Sequence, residues 1–205
     1  MIFKELNKEI QKALAFENFT VPTPIQEKAI PVILNRKDII GIAQTGTGKT
    51  ASFVLPILNL LQLDKKKIIP NSPLVLVLTP TRELAMQIDL AFGSFGKYLD
   101  FKHTSVFGGV SVDDQITKLD AGIHILTATP GRLIDLISKN KVNLSNITYF
   151  VIDEAHMMLD MGFIDNVKEI NERLPITKQS LCFSATISAD VIKFAKKLLN
   201  KPTLV

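Results

Sequence analysis

Two short stretches carry residue types suited to phosphate chemistry. The first is Ala43-Gln44-Thr45-Gly46-Thr47-Gly48-Lys49-Thr50. It stands between a short β-branched run, 38–43, and an apolar, helix-periodic stretch, 49–61. Glycines let the backbone wrap closely, so that several N–H groups converge on phosphate oxygens, and the following helix adds its positive end. Lys49 has the reach for β- and γ-phosphates, and the Thr50 hydroxyl suits Mg²⁺. A lysine so placed is expected to face phosphate and to add little to the core. Ala43 stands where the general pattern has glycine. The second stretch, Tyr149-Phe150-Val151-Ile152-Asp153-Glu154, is an apolar strand ending in two acids. Asp153 suits Mg²⁺, and Glu154 suits orienting and deprotonating an attacking water. Alone, such an acidic pair commonly decorates a helix start. Beside a phosphate loop it completes a site for hydrolysing a nucleoside triphosphate.

The elements that must position these residues alternate. Strand patterns recur at 38–43, 74–79, 103–107, 123–127, 147–152 and 180–184. Helical spacing is read at 3–15, 24–34, 49–61, 82–97, 111–120, 131–138, 163–173 and 188–199. Thr23 suits an N-cap, with Pro24 at the first helical position. Continuous apolar strands separated by helices predict an α/β fold, a doubly wound and mostly parallel sheet with helices on both faces. No repeat and no long polar linker divides residues 1–205, so a single domain is expected.

Composition excludes several classes. At 46% hydrophobic and 21% charged residues, the chain is neither disordered nor low-complexity fibre. One cysteine, Cys182, excludes a disulfide framework and suits a cytoplasmic setting. The longest apolar run, 74–78, is too short for a bilayer, so no membrane is expected. Net charge is +4, from 24 basic and 20 acidic residues, which permits an anionic partner without demanding one. Only four cations are arginines: Arg36, Arg82, Arg132 and Arg173. His103 and His124 fall in strand patterns and read as packed or edge histidines, and Cys182 as an inert core residue.

Further motifs make the chain resemble the DEAD-box RNA helicases, specifically their first RecA-like domain. Phe19-Thr20-Val21-Pro22-Thr23-Pro24-Ile25-Gln26 is similar to that family's Q motif, within an N-terminal region of about 1–35. The resemblance implies that Phe19 stacks on adenine and that Gln26 hydrogen-bonds its edge, an amide offering donor and acceptor side by side. Phe3 reads either as the family's upstream aromatic or as helix core. Asn18 stands where the family has glycine and is the next most tolerant residue of a left-handed turn. Pro80-Thr81-Arg82-Glu83-Leu84 resembles motif Ia, Gly108-Gly109 the GG motif, and Thr129-Pro130-Gly131-Arg132 motif Ib. All begin where a strand ends and therefore share one sheet edge. The resemblance implies RNA contact by Thr81, Arg82, Gly108, Gly109, Thr129, Pro130, Gly131 and Arg132, or loop support by the arginines.

Ser184-Ala185-Thr186 resembles motif III and implies coupling of the nucleotide site to the RNA edge. The acidic motif, Asp153-Glu154-Ala155-His156, carries His156 where DEAD-box proteins have aspartate, a spelling shared with the DEAH-box helicases. The imidazole can still meet Ser184 or Thr186. Around 106–111 the chain looks most like the bacterial RhlE branch. The resemblance implies ATP and Mg²⁺ as cofactors and RNA as partner. It also implies a second RecA-like domain, which residues 1–205 do not contain. Its arginine finger would supply several orders of magnitude in rate, so these residues alone are expected to be monomeric and nearly inactive. Neither Arg36 nor Arg173 is expected to act as a finger. Rival readings are a DEAH-type helicase, a non-enzymatic RNA-docking module holding ATP structurally, and an unrelated ATPase with the same loop.

Overall fold

The structure is a computed structural model and describes residues 2–205. Seven strands form one sheet: β1 Ile39–Ile42, β2 Val75–Leu78, β3 His103–Val106, β4 Ile125–Ala128, β5 Tyr149–Ile152, β6 Gln179–Ser184 and β7 Thr203–Leu204. They lie in the order β3-β4-β2-β5-β6-β1-β7, and every pairing is parallel. Among the described residues α1 Lys8–Phe16 and α2 Pro24–Leu34 precede the sheet; parallel neighbours need crossovers, and these are supplied by α3 Lys49–Asp64, α4 Arg82–Phe95, α5 Asp113–Asp120, α6 Pro130–Ser138, α7 Ala155–Asp160, α8 Ile164–Glu172 and α9 Ala189–Leu198. The expected doubly wound sheet is therefore present.

Side chains alternate across each strand, and two apolar layers result. Val75, Val77, Tyr149, Val151, Leu181 and Phe183 pack with α1 to α4 on one face. Leu76, Leu78, Phe150, Ile152 and Cys182 pack with helices of the later half on the other. The central strands β2 and β5 are buried along their whole length, which is why they read as continuous apolar runs.

Three departures from the sequence reading have local causes. The expected helix 3–15 is split into a 3₁₀ turn, Ile2–Glu5, and α1, because the Asn7 side chain accepts from the Ile10 amide at 2.9 Å and starts a new helix. Phe3 is buried core. The six-residue α7 was not expected, and neither was β7, two exposed residues whose edge pairing with β1 no periodicity announces. Asn18 does take the left-handed conformation, at φ 57°.

Candidate nucleotide and nucleic-acid site

The phosphate loop joins the carboxyl end of β1 to α3. Gly46 and Gly48 both have φ of 84°, and Gly48 caps α3 in the left-handed region. The α2 N-terminus lies against it. A side chain on Gly48 would drive into the Gln26 amide and come within 3.0 Å of Thr23 Oγ1, so glycine is required there by contact as well as by backbone. Gln26 is fully buried. Its Nε2 donates to the Gly48 carbonyl at 3.0 Å, and its Oε1 accepts from the Thr23 amide at 3.0 Å, closing a capping box. The amide expected to read adenine is thus engaged with the protein in this conformation. Thr47 Oγ1 donates to the Gln44 carbonyl at 2.6 Å, and Gln44, Thr45, Gly46 and Thr47 are exposed. Phe19 is 37% exposed, with Phe95 packed edge-on at 5.2 Å, so part of its ring remains open for stacking.

Lys49 differs from the expectation of a lysine marginal to the core. It is only 5% exposed. Its Nζ donates to Glu154 Oε1 and lies 3.7 Å from Asp153 Oδ1. Both acids are buried at the carboxyl end of β5, where they compete for one cation. Glu154 sits at φ 56°, ψ 49°, a left-handed conformation costing a non-glycine residue on the order of 1 kcal/mol. Asp153 Oδ1 and Glu154 Oε2 have no hydrogen-bond partner among the described residues. Burial pushes the Asp153 carboxyl up to about 6, with Lys49 opposing and Glu154 reinforcing the rise. Thr50, half-buried on the first turn of α3, completes the set.

His156 meets Ser184 as the resemblance implied. Its Nδ1 is 3.1 Å from Ser184 Oγ and 3.5 Å from Glu154 Oε2. The Ala185 amide donates to the same nitrogen at 3.4 Å, which favours the tautomer with its proton on Nε2. Thr186 takes part through its backbone, donating to Ser184 Oγ at 3.4 Å.

A neighbouring groove of about 480 Å³ gathers Arg82, Gly108, Thr129, Gly131 and Arg132 on the same sheet edge. Thr81 caps α4, its Oγ1 accepting from the Leu84 amide at 3.3 Å. Pro130 is the buried first residue of α6. Gly109 is left-handed at φ 79° with open space around it. Arg82 is half-exposed, 3.4 Å from Glu83 Oε1. Arg132 instead supports the glycine loop, donating to Gln115 Oε1 at 3.0 Å and to the Val110 carbonyl at 3.1 Å. Gln115 in turn donates to the Phe107 carbonyl at 3.1 Å. The sequence reading did not single out Gln115, since a lone amide on a helix flanked by acids carries no pattern. Arg36 and Arg173 are engaged elsewhere, with Asp64 and Glu169 respectively.

The sequence profile of the DEAD/DEAH box helicases matches residues 23–194. The RNA helicase CrhR of Synechocystis sp. is 43% identical over 201 residues, covering 98% of this chain and 39% of that protein. The ATP-dependent RNA helicase DbpA of Bacillus subtilis is 40% identical, with coverage of 97% and 40%. The chain thus spans about two fifths of the length of these relatives. A crystal structure of a hypothetical ATP-dependent RNA helicase from Sulfolobus tokodaii has a TM-score of 0.88 at 37% identity, covering 97% of this chain and 56% of that one. A DEAD box protein from Methanococcus jannaschii has the same score and identity, covering 97% and 53%. Phosphate loop, acidic strand end, histidine–serine contact and arginine-lined groove all lie within the matched span, and the chain belongs to the DEAD/DEAH box helicase family.

Proposed function

We propose that residues 1–205 are the nucleotide-binding first RecA-like domain of an ATP-dependent RNA helicase, which in the whole protein couples ATP hydrolysis to RNA duplex unwinding or ribonucleoprotein remodelling. The observation that carries this reading is the convergence of Lys49, Asp153 and Glu154 at the mouth of the phosphate loop. Lys49 leaves its two carboxylates to meet phosphate, and the loop amides hold the remaining phosphate oxygens. Glu154, released from Lys49, accepts the proton of the attacking water. Mg²⁺ fits the donor set. Asp153 presents a buried oxygen without a partner, Thr50 a hydroxyl, and Mg²⁺ characteristically takes one or two protein ligands beside phosphates and water. When bound it would neutralise phosphate charge.

RNA is the proposed partner of the groove lined by Arg82, Gly108 and Thr129, with Arg132 shaping the glycine loop rather than reading phosphate. The histidine–serine contact would carry the state of Glu154 towards that edge. A second RecA-like domain of the same protein would close over ATP and supply the missing cation, and these residues alone would be monomeric. A cytoplasmic setting suits the single buried thiol. No helix among the described residues is long and apolar enough to cross a membrane.

The test is RNA-stimulated ATP hydrolysis by the full-length protein. Glu154→Gln should keep nucleotide affinity and lose turnover by at least about a hundredfold, the scale of a lost general base. Turnover at the unsubstituted rate would refute the assignment.

A further inference from the structure

Thr79 immediately follows β2 and precedes Pro80 and Thr81, the turn that leads into α4. Leu78 pairs with Ile152, and the Asp153 amide donates to the Leu78 carbonyl at 2.9 Å. One further step of that register sets Thr79 beside Asp153, at a strand spacing of about 4.8 Å. Val77 and Val151 both point into the layer covered by α3 and α4, and alternation sends Thr79 and Asp153 to the same face. They form a direct cross-strand pair, the arrangement in which side chains on adjacent strands interact most closely.

Both side chains are buried, Thr79 completely. Thr79 Oγ1 and Asp153 Oδ1 each lack a hydrogen-bond partner. The hydroxyl does not cap the following helix, because Thr81 does so. A buried hydroxyl without a partner is unfavourable by about 1–3 kcal/mol, and valine has the same shape and suits a strand as well. Packing therefore does not account for a hydroxyl at this position. The environment of Asp153 does. Its nearest counter-charge is Lys49, which the nucleotide reading requires to move to phosphate. At that moment Asp153 exchanges Lys49 for the metal while remaining enclosed, and the donor next to it across the strands, able to fix its direction, is the Thr79 hydroxyl.

We propose that Thr79 is a positioning residue for Asp153, donating its hydroxyl hydrogen to the carboxylate when Lys49 turns to the nucleotide. A hydrogen bond to an ionised acceptor is about twice as strong as a neutral one and fixes direction. A carboxylate has lone pairs enough to take the hydroxyl and still ligate the metal, so the bond fixes the direction in which Asp153 meets it. Because Thr79 stands two residues before Thr81, which caps α4, the contact also ties the metal-binding carboxylate to the start of the RNA-edge loop.

This inference rests on the nucleotide and Mg²⁺ reading above, and the experiment separates the two. ADP affinity of residues 1–205 is measured by calorimetry with Mg²⁺ and with a chelator, for the unsubstituted chain, Thr79→Val and Thr79→Ser. The unsubstituted chain should gain affinity with Mg²⁺. Thr79→Val should lose about tenfold of that gain, the worth of one charge-assisted hydrogen bond. It should keep its chelator affinity within about twofold and melt no lower than the unsubstituted chain. Thr79→Ser should restore the gain. Should the valine variant fail to fold, Thr79→Ala takes its place under the same criteria. An undiminished Mg²⁺ gain without the hydroxyl overturns the positioning role and leaves the nucleotide site standing. An unsubstituted chain that binds ADP equally well with and without Mg²⁺ overturns the metal reading and this role with it.

Discussion

Two carboxylates at opposite ends of β5 show how the fold separates stability from function. Asp64, at the C-terminal end of α3, receives Arg36 Nη2 at 2.5 Å and the Tyr149 hydroxyl at 2.5 Å. Burial pushes it up, but the bonds from Arg36 and Tyr149 outweigh that and hold it below the usual carboxylate range. Asp153, at the carboxyl end of β5, also has a cation nearby, yet burial wins and it is raised. The difference lies in donors. Arg36 bonds both Asp64 and Tyr149, whereas Lys49 is divided between two acids and satisfies neither completely. A closed network stabilises, while an open one holds charge ready for a ligand.

The largest effect expected from breaking this contrast is at Lys49. Lys49→Ala should lower nucleotide affinity by at least about a hundredfold, since a phosphate-facing cation is lost. It should also destabilise the chain by about 3 kcal/mol, because two buried carboxylates lose their counter-charge. Calorimetry and chemical denaturation read the two. A chain as stable as the original would mean that the acids do not need Lys49 at rest.

Next is Asp153→Asn. Because the folded-state pKa of Asp153 lies above its unfolded value, the native state binds more protons between about pH 4 and 6. Its contribution is present below the unfolded pKa and is lost as pH rises through about 6. The asparagine variant should therefore be more stable by about 3 kcal/mol at pH 7.5, with the gap closing by about pH 4. Denaturation midpoints across that range check it, and a gap constant with pH would contradict it.

Arg36→Ala should act in the opposite sense, and more weakly. Asp64 stabilises above its unfolded pKa, and that contribution is lost as pH falls through the lower folded value. With Arg36 half-exposed, the loss at neutral pH should be about 1 kcal/mol. Nucleotide affinity should not change, and a change would mean that the two ends communicate. The smallest effect belongs to His156→Asp. An aspartate accepts from Ser184 and Ala185 as the imidazole does, so stability should shift by under about 1 kcal/mol. A larger loss would show that Glu154 does not tolerate a second carboxylate at position 156.

Much of the fold was legible because β2, β4, β5 and β6 are buried along their whole length and read as apolar runs. The limits of α2 could be read at residue level, since Thr23-Pro24 starts the helix unmistakably. The exposed pair Thr203–Leu204 had no such signal, and the break at Asn7 depends on a side-chain cap within an otherwise periodic stretch. In the site, residue types announced phosphate chemistry, but burial was hidden. Gln26 and Lys49 read as ligand-facing groups and instead engage Gly48 and Glu154. Such contacts join residues 22 and 105 positions apart, and spacing along the chain carries no trace of them. Thr79 was read only as strand, because one hydroxyl at the end of an apolar run has no pattern.

Cys182 lies at the middle of β6, flanked by β5 and β1, with no surface exposed. Burial, reinforced by the charge of Asp153, pushes its thiol up to about 12. A thiol-directed reagent therefore reaches it only when the centre of the sheet opens. The chain has one cysteine, so a single labelling rate reports that opening without any engineered probe. Where reclosing outruns labelling, the rate follows the equilibrium population of opened molecules. Nucleotides, metal ions and truncations can then be ranked by how far each slows the same clock.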